Sequence, residues 1–459
     1  MAATVTQKVD DQVYKLPLKV LVIKEKKQVL FAEAGKDFVD ILFSFLTFPL
    51  GTLSKLMAVE SNLQKPVRFG SISSLYESVT HLEEEHFRTQ TCKEMLLNPK
   101  NSLASYCQNM KLNIDDATEP IKYFICENWE CSKRWRFLSI NFRNQRCFCR
   151  ELLNREIFRE NVTVEDGFVK VTARFIVGDD LHITPDVFGA SLQVLQKLGI
   201  KDMQGIEERT IHINKKEVVN LLKFSLFSET PMTDFVFKKD QPLDNFSPQL
   251  GFDIAQVPSD KGKQMLVKIL VRKSNGKIVF AEAFEDFADF IFSFLTFPLG
   301  GVLHMLKGFS SLSCLDKLYK SISNLNAGRY LRSQELTDKL VNPRCAFQFN
   351  VSNQILPIEA DRLPSYYCHV KDQYSGTLVT SPPATFGNGM DLPLSIVDPR
   401  FPAGDLSSTY GFVKRSSIYM VTDDLVVTPM SSVSAISYLN RLGVPLFDLE
   451  ERVIAIGLR

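Results

Sequence analysis

The chain has 459 residues, too many for one ordinary domain. Hydrophobic residues make up 45% and charged residues 23%, which excludes a mainly disordered, collagen-like or coiled-coil chain. With 54 Lys and Arg against 53 Asp and Glu, global attraction to nucleic acid or an anionic membrane gets no support.

The N-terminus, MAATVTQKVDDQVYKLPLKV, has no apolar core of signal-peptide length and carries Asp10 and Asp11, so secretion is not expected. Lys19–Ile23 and Val29–Ala34 are short β-type runs around Glu25–Lys27. Lys36–Thr47 then reads as a helix. Its polar residues after Lys36 are Asp37, Asp40, Ser44 and Thr47, one narrow stripe on an otherwise apolar cylinder. Such a helix should be buried on most of its surface. Its aspartates fall at the helix start, where the dipole favours carboxylates, so a structural role outweighs a carboxylate-pair site. The uncharged runs Ile41–Ser54 and Phe290–Leu303 hold 14 residues each, short of the ~20 a spanning helix needs. Both contain a Pro-Leu-Gly break and read as buried helices, so no transmembrane segment is expected.

The most distinctive chemistry lies in Ile121–Arg150, IKYFICENWECSKRWRFLSINFRNQRCFCR. Cys126 and Cys131 form one close pair, Cys147 and Cys149 another. Two thiolate pairs on a loop–strand–loop match one tetrahedral, structural Zn²⁺. Clustered cysteines in a reducing compartment, cytoplasmic or nuclear, point to metal binding or free thiols rather than disulfides. Lys122, Lys133, Arg134, Arg136, Arg143, Arg146 and Arg150 surround the pairs and favour thiolate formation. The segment also holds both tryptophans, Trp129 and Trp135, with Phe137, Phe142 and Phe148. Interleaved cations and aromatics are the pattern of a nucleic-acid or anion surface, with Lys133, Arg134, Arg136, Arg143 and Arg146 as its contacts. The simpler account is a zinc knuckle whose aromatics form its own small core and whose cations face water. That account is preferred here, with a protein partner ahead of a nucleic acid.

Phe168–Val177 is a further β-type run. Asp179-Asp180 reads as a turn and Leu181–Ile183 as a short strand. Thr184 is expected to cap a helix that begins at Pro185 and ends at Gly199. DDLxxTP looks catalytic, yet turn and capping chemistry accounts for each residue. Glu217–Phe235 reads as an amphipathic helix and its exit.

From residue 267 the chain repeats itself. Residues 18–51 align without a gap on 267–300, with 20 of 34 positions identical. FSFLTFPLG occurs at Phe43–Gly51 and Phe292–Gly300; LLNPK at Leu96–Lys100 answers LVNPR at Leu340–Arg344. Gly167–Gly199 answers Gly411–Gly443, and IEER at Ile206–Arg209 answers LEER at Leu449–Arg452. So long a period means two tandem domains, residues 16–240 and 262–459, joined by a Pro/Gly-bearing linker at 241–261. In copy 2, Asn275-Gly276 signals a two-residue hairpin turn. Ser381–Thr409, rich in Pro, Gly and Ser, replaces the middle of copy 1 and reads as irregular loop. Copy 2 keeps only Cys368 of the four cysteines and stops at Arg459 without the amphipathic helix, so copy 1 is the complete version.

Hairpins alternating with helices, without repeated βαβ units, predict an α+β fold. No nucleotide-binding glycine loop, hydrolase elbow or HExxH occurs. A binding or interaction module is therefore expected. The alternative is an enzyme in copy 1 built on Asp179, Asp180 and neighbouring polar residues.

The pattern resembles a plant family catalogued as domain of unknown function 674. The carrying residues are Lys19–Val22, Phe31–Gly51, Leu96–Pro99, Asp179–Leu181, Glu207–Arg209 and Thr230–Asp234. The resemblance covers nearly the whole chain and implies tandem copies, with no activity to carry over. Members often show Cys-x-Cys-Gly at the second pair, where this chain has Arg150.

Overall fold

The computed structural model describes residues 14–58, 67–115, 121–143, 145–157, 166–238 and 264–457, the last apart from 353, 363–364, 371–375, 380–389, 402–410 and 416. The expected linker at 241–261 lies outside the described residues. In the first half, β1 (Leu16–Ile23), β2 (Gln28–Ala34), α1 (Lys36–Thr47) and α2 (Leu50–Ala58) are followed by α3 (Gly70–His81), α4 (Gln90–Leu97) and α5 (Ala104–Cys107). Then come β3 (Tyr123–Cys126), α6 (Trp129–Trp135), β4 (Phe137–Ile140), β5 (Leu153–Ile157), β6 (Phe175–Gly178) and β7 (Ile183–Pro185). α7 (Ala190–Lys197), β8 (Ile206–Ile213), α8 (Lys215–Phe227) and α9 (Pro231–Phe237) complete it. The second half runs β9 (Gln264–Arg272), β10 (Ile278–Ala283), α10 (Glu285–Ser293), α11 (Leu299–Met305), α12 (Ser313–Asn324), α13 (Ala327–Tyr330) and α14 (Gln334–Val341). It continues through β11 (Tyr366–Val370), β12 (Gly376–Val379), β13 (Met390–Ile396), β14 (Tyr419–Thr422), β15 (Val427–Pro429), α15 (Ser432–Leu442) and β16 (Leu449–Gly457). The fold is α+β, as expected. No described helix is long and apolar enough to cross a membrane.

Each half contributes an antiparallel five-stranded sheet of matching order, β7-β6-β2-β1-β8 and β15-β14-β10-β9-β16. The period-2 pattern of β1 sends Leu16, Leu18, Val20 and Val22 to the core, and β9 does the same with Met265, Val267, Ile269 and Val271. A third sheet, β12-β11-β13-β4-β3-β5, takes three strands from each half. The halves meet in it where β13 runs parallel to β4, with Ser395 opposite Phe137.

The cores do not respect the halves. The first sheet and α1 are covered by Leu315, Leu318 and Ile322 of α12 and by Leu336 and Leu340 of α14. Leu75 and Val79 of α3 and Met95 and Leu96 of α4 join the core of the second sheet instead. The halves thus exchange helices, and the linking bonds are reciprocal. Ile183 donates its N–H to Ser321 Oγ and Val427 donates its own to Ser78 Oγ, both at 2.9 Å. Leu50 N–H reaches Phe297 O and Leu299 N–H reaches Phe48 O, again both at 2.9 Å. The two FPLG strings therefore face each other. A Cβ on Gly51 would stand 3.0 Å from Leu295 O, and one on Gly300 2.9 Å from Leu46 O, so glycine permits this close approach.

The apolar stretch is buried as expected. Phe43, Phe45, Leu46 and Phe48 are inaccessible, and Phe292, Leu295 and Phe297 nearly so. Phe294 is only partly buried, where α10 gives way to a 3₁₀ turn over Phe294–Thr296. The polar stripe is satisfied internally: Ser44 bonds Ile41 O, Thr47 bonds Ser44 O, and Asn101 donates to Thr47 Oγ1. Asp40 does more than sit at the helix start. Its Oδ1 accepts the N–H groups of Phe168 (2.8 Å) and Val169 (2.9 Å), and Lys36 Nζ lies 2.7 Å from Oδ2. Asp289 repeats this with Phe412 (2.6 Å) and Val413 (3.0 Å). A Cβ on Gly167 would meet Asp40 Oδ2 at 2.0 Å, and one on Gly411 would meet Asp289 Oδ2 at 1.9 Å.

Four expectations are corrected. The strand expected over Phe168–Val177 shortens to β6: Phe168 and Val169 give their N–H groups to Asp40, Val169 bridges Leu331, Lys170 bonds Tyr330 O, and β2 pairs only from Ala34 opposite Phe175. Thr184 and Pro185 end strand β7 rather than start a helix; α7 begins at Ala190 and α15 at Ser432. β7 and β15 are edge strands, where proline has no ladder bond to lose. Asn275-Gly276 lies within a five-residue connection, Lys273–Lys277, not a two-residue turn. Part of Ser381–Thr409 is strand β13, which becomes regular because β11 and β4 pair with it.

Candidate metal centre

The third sheet delivers the cysteines. Cys126 ends β3. Asn128 caps α6 by accepting the N–H of Cys131 at 3.1 Å, which fixes Cys131 in the first helical turn. Cys147 and Cys149 flank Phe148 in the loop before β5. There Cys147 donates its N–H to Glu151 O, and Arg150 donates back to Cys147 O, both at 2.8 Å. Arg150 closes this tight turn with φ 71°, a left-handed conformation that non-glycine residues seldom adopt.

The four Sγ atoms lie within 4.8 Å of one another. Cys126 Sγ is 3.5 Å from Cys149 Sγ, and Cys131 Sγ is 3.4 Å from Cys147 Sγ. Tetrahedral thiolates at ~2.3 Å from one zinc stand about 3.8 Å apart, so the quartet has the size of a four-sulfur site. It can hold a metal ion. Backbone N–H groups of Asn128 and Glu151 point at Cys126 and Cys149, two residues downstream in each case, and favour their thiolates. Burial, then the neighbouring thiols, pushes Cys126 up and Cys131 up to about 12. At Cys149 burial is outweighed by hydrogen bonds from Cys131, Glu151 and Cys126, and its pKa falls.

The second half supports the centre. Val397 packs with Cys126, Cys131, Cys147 and Leu153, and Ser395 donates to Arg136 O at 2.7 Å. Gln145, itself buried, donates to Pro399 O at 3.0 Å. Sequence reading missed these partners, since nothing local marks them. The capping Asn128 was legible as Asn three residues before Cys131.

The candidate anion contacts divide. Arg143 pairs with Glu156 at 3.3 Å and lies over the Phe124 ring. Arg146 donates to Arg150 O at 2.7 Å, and Arg134 lies 5.3 Å from the Trp135 ring centre. Arg136 is half-buried at the end of α6. The side chains of Lys133 and Trp129 lie outside the described residues. Trp135 and Phe148 are not in a small core: they are 42% and 46% exposed.

The residues of the alternative enzyme site make hydrogen bonds and an ion pair that tie distant segments together. Asp179 accepts Thr233 N–H at 2.7 Å and Thr233 Oγ1 at 2.8 Å, holding α9. Asp180 accepts His182 N–H and pairs with Lys317 at 2.8 Å. His182 Nδ1 lies 3.2 Å from Ser321 Oγ, and Asp40 is engaged by Lys36 and the Phe168 and Val169 amides.

No curated protein and no solved structure matches this chain. A family profile described as "Protein of unknown function (DUF674)" matches residues 12–459. With that match running almost end to end, the chain belongs to this family of proteins of unknown function.

Proposed function

We propose that the protein is an intracellular binding module, cytoplasmic or nuclear, in which Cys126, Cys131, Cys147 and Cys149 hold a structural zinc ion. The approach of four Sγ atoms within 4.8 Å carries this reading. Amide donors to Cys126 and Cys149 support it, as do the surrounding cations, which offset the net negative charge of four thiolates around a divalent ion. The ion would tie β3, α6 and the loop before β5 together, with no vacant coordination position for chemistry. We also infer that residues 16–240 and 262–459 are two copies of one unit; the matching sheet orders and reciprocal bonds support this. Elemental analysis of purified protein tests the metal. One zinc per chain, lost in Cys147→Ser, is expected; a metal-free chain with unchanged stability in that variant would leave ordinary thiols.

A further inference from the structure

We propose that the outer face of the cysteine centre binds single-stranded nucleic acid, with bases stacked on Trp135 and Phe148. This deepens the binding-module reading by naming its partner. The sequence alone favoured a small aromatic core facing inward, but both rings stand open to solvent. They touch edge to face with centroids 5.0 Å apart, and Phe137 backs Phe148 at the same separation. The rings are thus held in fixed orientations, which lowers the entropy lost when a base stacks on them. Both rings sit on elements of the centre: Trp135 ends α6, and Phe148 lies between Cys147 and Cys149.

Cations frame the rings. Arg134 lies along Trp135, and Arg146 and Arg150 belong to the same loop as Phe148. Neither Arg134 nor Arg150 has an ion-pair partner among the described residues, whereas Glu127 nearby accepts from Asn154 at 3.0 Å. Exposed rings beside unpaired guanidinium groups match unstacked bases on a phosphate chain. A duplex would not fit, because its base faces are already stacked. An acidic peptide would meet the arginines and leave the rings unused.

Both tryptophans of the chain lie in α6, and Trp135 stands on this face, so intrinsic tryptophan fluorescence reports on α6. The full-length, metal-loaded protein is titrated with oligothymidylate and oligouridylate. Quenching is expected, with log Kd rising against log salt at a slope of about 2 for three phosphate contacts. Phe148→Ala should weaken binding about tenfold while Phe148→Tyr keeps it, with zinc content equal in both. Absence of binding at low salt, binding by Phe148→Ala and Trp135→Ala at the parent's affinity, or equal displacement by duplex or polyglutamate overturns the proposal. A chain that keeps its zinc but binds no oligonucleotide ends this inference and leaves the metal centre standing. A chain without zinc that still binds through Phe148 upholds this surface and ends the metal reading.

Discussion

The hydroxyl of Ser321 accepts the backbone N–H of Ile183 at 2.9 Å, so a helix of the second half closes a strand of the first. Ser78 and Val427 make the converse bond. Because each core draws on both halves, the halves should not unfold independently. Leu318, fully buried on α12, is the cleanest probe. Leu318→Ala should cost about 2–5 kcal/mol. It should raise hydrogen exchange in β6 and β7 of the first half, and denaturant unfolding should stay one transition. Exchange that rises only in the second half would contradict the helix exchange.

The Gly167–Asp40 contact predicts a severe single-residue effect. Gly167 has φ +66° and leaves no room for a Cβ beside Asp40. Gly167→Ala should destabilise by at least about 2 kcal/mol, from left-handed backbone strain and loss of the carboxylate's amide bonds. Gly70→Ala is the control: its φ is also positive but its Cβ position is open, so only the strain applies. Thermal melts that rank the two variants equally would refute the contact's role.

Asp289 sets a pH dependence. Burial raises its pKa to about 7, against the pull of the Phe412 and Val413 amides and of Arg88 and Arg400. A folded pKa above the unfolded value means the native state holds the extra proton. This contribution is complete below about pH 4 and is lost as pH rises through about 7. Asp289→Asn keeps the acceptor oxygen without the charge. Its melting temperature relative to the parent should rise between pH 4 and pH 7; a difference that is flat with pH would remove Asp289 as the titrating group.

Metal removal should act locally. Thiolate ligation releases protons, so acid or a chelator should strip the ion and loosen Ile121–Arg150 first. Val397 packs on the cysteines, and Val397 N–H bonds Leu138 O at 2.9 Å, so β13 should lose protection next. The two five-stranded sheets have their own cores and should persist. Hydrogen exchange with and without chelator checks the order. Uniform loosening of the whole chain would show that the site is not a local staple.

Phe45 tests the burial of the repeated string. It is fully inaccessible, packed near Phe48 with ring centroids 6.4 Å apart. Phe45→Ala should cost about 3–5 kcal/mol in chemical denaturation. A loss below about 1 kcal/mol would mean that the site collapses around the smaller side chain.

Much of this protein is written in short-range pattern. The alternation in Leu16–Ile23, the single polar stripe of Lys36–Thr47 and the EER strands report local periodicity, which survives into the fold because each element needs one apolar face. The cysteine pairs were legible for a similar reason: ligand spacing is a local property of the backbone. What folding decided are the pairings between distant segments. Nothing in Ser73–Val79 says that it packs on the other half's sheet, since an amphipathic helix specifies a face and not a partner. β13 became a strand only because β4 and β11 offered it an edge, despite a loop-like composition. Phe168 and Val169 do not extend β6 but give their N–H groups to Asp40, a buried carboxylate that requires donors, and Val169 bridges Leu331 of the other half. The exposure of Trp135 and Phe148 was likewise a tertiary outcome, set by how α6 and the Cys147–Cys149 turn close around four sulfurs.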